Sequence, residues 1–151
     1  PADVGDGEQS FFGTGSVTPG YLYYLNSDGG WDKTNAAGTG SLGSSSAGNT
    51  SLLGIAMPIN YFEQTVFMRS AATASIEGML TRGHFNVQSA FTGSWITGSA
   101  VYVYSGSAAN AGKFTCTAPT SSNSYVRIVG YCTDTPNVIV FDPDKSWVEI
   151  S

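Results

Sequence analysis

Large apolar residues fall on alternate positions in a series of short runs, separated by clusters of Gly, Ser, Thr and Asn. The runs span 21–25, 30–33, 52–57, 78–87, 100–104, 113–117, 125–132, 138–141 and 146–150. A period of two is the mark of a half-buried strand, and the small polar clusters supply the turns between strands. NSDGG, residues 26–30, separates two aromatic-rich runs and predicts a β-hairpin. YFEQTVFMRSAATASIE, residues 61–77, fits either a strand over 63–69 or a single helical turn. No long amphipathic helix is predicted.

The runs recur in order. YLYYLNSDGGW is followed, after a polar loop, by SLLGIAM; VYVYSGSAANAGKF is followed, after a polar loop, by SYVRIVGYC. Each half reads as aromatic strand, Gly-containing turn, aromatic-ended strand, Ser/Thr-rich loop, and an apolar strand interrupted by Gly54 or Gly130. Glycine inside a strand marks a bulge or a close backbone approach. The expected fold is all-β, a compact β-barrel or β-sandwich built from two related β units, because closure or face-to-face packing hides sheet edges.

Within GYLYYLN, Tyr21 and Tyr23 share one strand face while Leu22 and Tyr24 share the other. VYVY at 101–104 repeats the arrangement. Large residues on both faces imply cover on both faces, so core plus subunit contact is the first reading. A plain core with Tyr hydroxyls in water, and a stacking platform for a sugar, are the alternatives. The interface candidates are Tyr21, Tyr23, Trp31, Tyr102 and Tyr104, joined by Phe11 and Phe12 of the N-terminal segment.

That segment, PADVGDGEQSFFGTG, has no periodic pattern and makes a poor strand or helix. Residues 1–15 are expected to form a flexible arm and 16–151 a single β domain. The Phe11–Phe12 pair then needs a docking place, on its own domain or on a neighbouring chain. The opening Pro1-Ala2-Asp3 is what trimming of an initiator Met would leave, and predicts synthesis in a reducing cytoplasm.

Composition narrows the function classes. Hydrophobic residues are 41% of the 151, which excludes disorder for most of the chain. Charged residues are 11%, against about 25% in ordinary globular domains. Residues 34–62 and 83–112 hold no Asp, Glu, Lys or Arg. A surface so poor in charge is expected of an assembly component whose partners cover it. The six basic residues are scattered and the net charge is −5, so no nucleic-acid partner is expected. No apolar run approaches the 18 or so residues of a membrane span.

Each chemical motif has a plainer reading. GTGSLG at 38–43 matches G-x-G-x-x-G by letter, yet the following SSSAGNTS cannot start the helix that motif needs. Asn49-Thr50-Ser51 is a glycosylation sequon only in a secreted chain. Asp142-Pro143-Asp144 reads as a type I turn rather than a cation loop, which needs six or more oxygens. His84 adjoins no nucleophile motif. Cys116 and Cys132 could pair if their strands were neighbours, but two free thiols acting as small buried hydrophobes is the simpler reading. No enzyme activity, cofactor or metal is expected.

PGYLYYLNSDGGWDKTNA, LLGIAM, GMLTRGHFNV, GSAVYVYSGSAANAGKFTCTAPTSSNSYVRIVGY and VIVFDPDKSWVEI together resemble a family of tailed-bacteriophage structural proteins. In that family a Gly-rich β domain decorates the head or forms part of a head or tail fibre. The similarity covers roughly residues 18–150 and is most specific in TAPTSSNSYVRIVGY and FDPDKSWVEI. It implies a virion component without catalytic residues, trimeric and attached to the major capsid protein. The expected role is a capsid decoration, or cement, protein on the outer capsid surface, present in the host cytoplasm during assembly. The alternative it leaves is a receptor- or glycan-binding domain of a tail fibre or head fibre.

Overall fold

Strands dominate the computed structural model of the chain, which describes residues 5–10, 13, 15, 17–34, 51–58, 76–106, 108–121 and 124–150. They are β1 (Gly5–Ser10), β2 (Leu22–Leu25), β3 (Trp31–Lys33), β4 (Leu53–Pro58), β5 (Ile76–Asn86), β6 (Ala100–Val103), β7 (Phe114–Thr115), β8 (Tyr125–Val126), β9 (Ile128–Cys132), β10 (Val138–Phe141) and β11 (Val148–Glu149). Helical structure among the described residues is a single 3-10 turn, Ala108–Asn110. The fold is all-β, an antiparallel sheet curled into a half-barrel.

The two predicted units share one connectivity. In the first, β2 and β3 form a hairpin and β4 returns to the other edge of β2; in the second, β6 and β7 form the hairpin and β9 returns to β6. Gly54 pairs with Tyr23 and Gly130 with Val101, so each interrupting glycine faces the first strand of its own unit. A fourth strand follows in each, β5 on β4 and β10 on β9, and these two pair with each other. The first hairpin turns as NSDGG predicts: the Asn26 side-chain oxygen accepts the Asp28 and Gly30 N–H groups, each at 2.9 Å. Asn and Gly there satisfy backbone donors that a tight turn would otherwise strand.

β5 is the spine. Met79 and Leu80 pair with β1 and β4 at once, and Gly83 to Phe85 with β1 and β10 at once. A strand has two edges, so β1 lines one edge while β4 and β10 share the other. From that shared edge the two units turn their inner faces toward a common core. Leu22, Leu53, Ile55, Leu80, Phe85, Val101, Phe114, Val129, Ile139 and Phe141 meet there, with Phe114 and Phe141 edge-to-face at 6.4 Å. Burying each phenylalanine stabilises the fold by roughly 1.5–3 kcal/mol.

The far ends are tied at Gly112. Its carbonyl accepts the Leu22 N–H at 2.8 Å, and its own N–H donates to Thr34 O at 2.7 Å. Gly112 has φ +81, and a Cβ there would lie 3.1 Å from Leu22 O. Residues 90–92 cover the outer edge of β7, with Phe114 N–H donating to Ala90 O and Thr92 N–H to Phe114 O, both at 2.9 Å.

The structure differs from the sequence pattern in three places. Gly5–Ser10, read as a poor strand, pairs with the chain's own β5. The segment needs no apolar alternation because backbone bonds to an open edge hold it. It needs Gly7, where a Cβ would sit 2.1 Å from Arg82 O. The run 125–132 breaks at Arg127 into β8, which pairs with β11, and β9, which pairs with β6 and β10. Asp142–Asp144 does not turn but runs on along β9, its Asp142 and Asp144 N–H groups donating to Val129 O and Ile128 O, both at 2.9 Å. Pro143, lacking an N–H, fills the position between those two donors. Phe11, Phe12, the 38–43 motif and the 63–69 strand lie outside the described residues.

Candidate functional site

The aromatic candidates separate into three environments. Tyr23 and Trp31 are only 3% and 5% exposed, inside a second cluster with Val17, Ala56 and Met79 on the outer face of β2, β3 and β4. The Tyr23 hydroxyl accepts the Thr18 N–H at 2.7 Å. Both faces of the first hairpin are covered, but by the same chain. The contact expected of Tyr23 and Trp31 is therefore made internally, and residues 17–20 act as the lid. Tyr21 is half-buried at the edge of both clusters, with the Lys33 ammonium 4.3 Å from its ring centre. Tyr102 and Tyr104 are half-buried, while Val101 and Val103, which alternate with them, face the core.

Tyr104 lines a cleft of about 370 Å³ together with Thr92, Ser105, Thr115, Thr117 and Thr120. Its described walls carry hydroxyls and one aromatic ring but no carboxylate, amine or imidazole. Thr115 Oγ1 accepts the Thr117 N–H at 3.2 Å, which holds the wall at the end of β7.

A different surface was not singled out from the sequence. β8 and β11 form a separate two-stranded sheet, Val126 pairing with Val148 and Tyr125 with Glu149. Arg127 bolts it to the main sheet. Its Nε donates to Asp144 O at 2.8 Å and its Nη1 to Ser51 O at 2.7 Å, and the guanidinium lies 5.3 Å from the Trp147 ring centre. Burial lowers the Arg127 pKa from its ordinary value, and the Asp144 carboxylate opposes that fall. Trp147 and Val148 stay 40% and 66% exposed, and Leu52, next to Ser51, is 46% exposed. In SWVEI the adjacent Trp147 and Val148 break strict alternation, and both residues of β11, Val148 and Glu149, are exposed.

Among the described residues no three His, Cys, Asp or Glu come together to hold a metal ion. His84 is exposed on β5, in register between Asp6 and Val140. Arg82 and Asp142 approach to 3.8 Å but are 64% and 60% exposed, so solvent screens the pair. Cys116 and Cys132 are free thiols with their sulfurs 3.2 Å apart. Burial, then contact with Cys116, pushes the Cys132 thiol up to about 12. No helix among the described residues is long and apolar enough to cross a membrane.

No protein-family model matches the chain, and no curated protein or solved structure matches it. Fold and surface define a class by themselves: a charge-poor, all-β half-barrel carrying an open aromatic-edged strand pair.

Proposed function

We propose that this chain is a non-enzymatic capsid decoration protein of a tailed bacteriophage, binding the outside of the head shell and stabilising contacts between coat subunits. The observation that carries the reading is the β8–β11 sheet. The two stretches on which the resemblance is most specific, TAPTSSNSYVRIVGY (117–131) and FDPDKSWVEI (141–150), pair there through Val126 and Val148. They leave Val148 largely and Trp147 partly exposed. Exposed aromatic and apolar side chains suit the core of a protein contact, and the charged residues beside them, Arg127, Lys145 and Glu149, suit its polar rim. In this reading the partner is the major capsid protein, the decorating unit is a trimer, and the protein resides on the outer capsid surface.

Purified chain added to undecorated shells tests this directly. Hundreds of copies distributed over the shell by electron microscopy are expected. Absence from the shell, with a few copies at a tail or fibre tip, overturns it.

The hydroxyl-lined cleft beside Tyr104 favours a second reading, a glycan-binding domain of a head or tail fibre. Neutral saccharides offer hydroxyls for Thr and Ser, and C–H faces for a tyrosine ring. Saturation-transfer NMR with host surface glycans distinguishes the two, since only the fibre reading predicts transfer to the sugar.

A further inference from the structure

We propose that Cys116 and Cys132 form an intramolecular disulfide when the folded protein meets an external disulfide, locking the end of β7 to β9 across β6. This does not depend on the function proposed above. The two sulfurs already lie 3.2 Å apart, and a disulfide requires closure by about 1.2 Å. The two residues differ in how they are held. Cys132 is anchored: its N–H donates to Ser99 O and its carbonyl accepts the Gly98 N–H, both at 2.9 Å. Cys116 follows β7 in a bend and is half-buried, so the movement falls to it.

Exposure also sets the order of events. Cys116, as thiolate, attacks one sulfur of a small disulfide such as oxidised glutathione, forming a mixed disulfide and releasing one reagent thiol. Cys132, 4% exposed, is shielded from the reagent but lies against Cys116. Its thiolate then attacks the Cys116 sulfur and releases the second reagent thiol. The two protons lost by the cysteines end on the two released thiols. One external disulfide is reduced and two protein thiols are oxidised. Burial still holds the Cys132 thiol above its ordinary value once Cys116 is in the mixed disulfide, so the second step is slow at neutral pH and accelerates as pH rises.

The link joins residues 16 apart and ties one wall of the Tyr104 cleft, at Thr115 and Thr117, to the body of the sheet. A disulfide closing a loop of this length raises the melting temperature by roughly 6–12 °C in a domain of this size.

The test uses the full folded chain, fully reduced, then incubated with oxidised glutathione at a series of alkaline pH values. Intact mass after denaturing alkylation is expected to show both thiols protected with the mass of two hydrogens lost. Peptide mapping should link 116 to 132 within one chain, and the melting temperature should rise. In Cys132→Ser the glutathione adduct should persist on Cys116; in Cys116→Ser the folded chain should leave Cys132 unmodified. Two alkylatable cysteines, a permanent mixed adduct in the native sequence, or links only between chains would overturn the proposal.

Discussion

The Leu22 N–H donates to the Gly112 carbonyl at 2.8 Å, and this bond joins the first unit of the curled sheet to the β6–β7 hairpin of the second. Gly112 holds φ +81 against the Leu22 carbonyl oxygen, Lys33 and Tyr21. Gly112→Ala should therefore destabilise the fold by about 1–3 kcal/mol, the cost of a side chain in left-handed backbone. Thermal melting should show a drop of several degrees with the strand spectrum retained. An unchanged melt would mean that the closure is not constrained.

Arg127 satisfies two backbone carbonyls, Asp144 O and Ser51 O, from a buried position. Arg127→Ala leaves both acceptors without that donor and should cost roughly 2–4 kcal/mol. Arg127→Lys should recover little, because one ammonium cannot reproduce the planar fork. Denaturant midpoints measure the loss. Trp147, which stacks near the guanidinium, should change its fluorescence in both variants.

Tyr23 and Tyr102 look alike in sequence but not in the fold. Tyr23→Ala opens the second cluster and should cost about 3–5 kcal/mol. Tyr102→Ala, at a half-buried outward position, should cost clearly less. Equal losses in denaturant unfolding would contradict the assignment of Tyr23 to an internal cluster.

The pH dependence follows from Cys132. Burial favours its neutral thiol, so the folded value of about 12 stands above the ordinary 9.0. The resulting stability is complete below pH 9 and is lost as pH rises from 9 toward about 12, where ionising the unfolded thiol pulls the equilibrium. Under reducing conditions, the native sequence should lose more stability between pH 8 and pH 11 than Cys132→Ala does. Parallel losses would argue against the buried thiol.

Val148 is 66% exposed, and Trp147, 40% exposed, gives the isolated domain little beyond its contact with the Arg127 guanidinium. A Trp147→Ala, Val148→Asp double variant should melt close to the parent. Under the decoration reading it should also bind shells at least tenfold more weakly. Full shell occupancy by a folded double variant would remove the β8–β11 face from the proposed contact.

Most of this architecture was legible along the chain because it rests on local rules. Period-two runs, the Asn26–Gly30 turn chemistry and glycines placed within strands define strands, a hairpin and two like units without any knowledge of neighbours. Gly130 shows the limit of such a signal: a Cβ there would lie 2.1 Å from Val140 O, so its presence marks a close approach but not which strand approaches. What covers each strand face was decided only in three dimensions. Tyr23 and Trp31 promised a partner, and residues 17–20 of the same chain supplied it. Gly5–Ser10 carries no apolar pattern because its pairing uses backbone groups that every residue possesses. Arg127 looks like one more surface charge until the Ser51 and Asp144 carbonyls converge on it. The two cysteines meet across an intervening strand, at a distance set by the curl of the sheet. Alternation records that a side chain will be buried, whereas the identity of its neighbour depends on contacts between distant segments that local spacing does not encode.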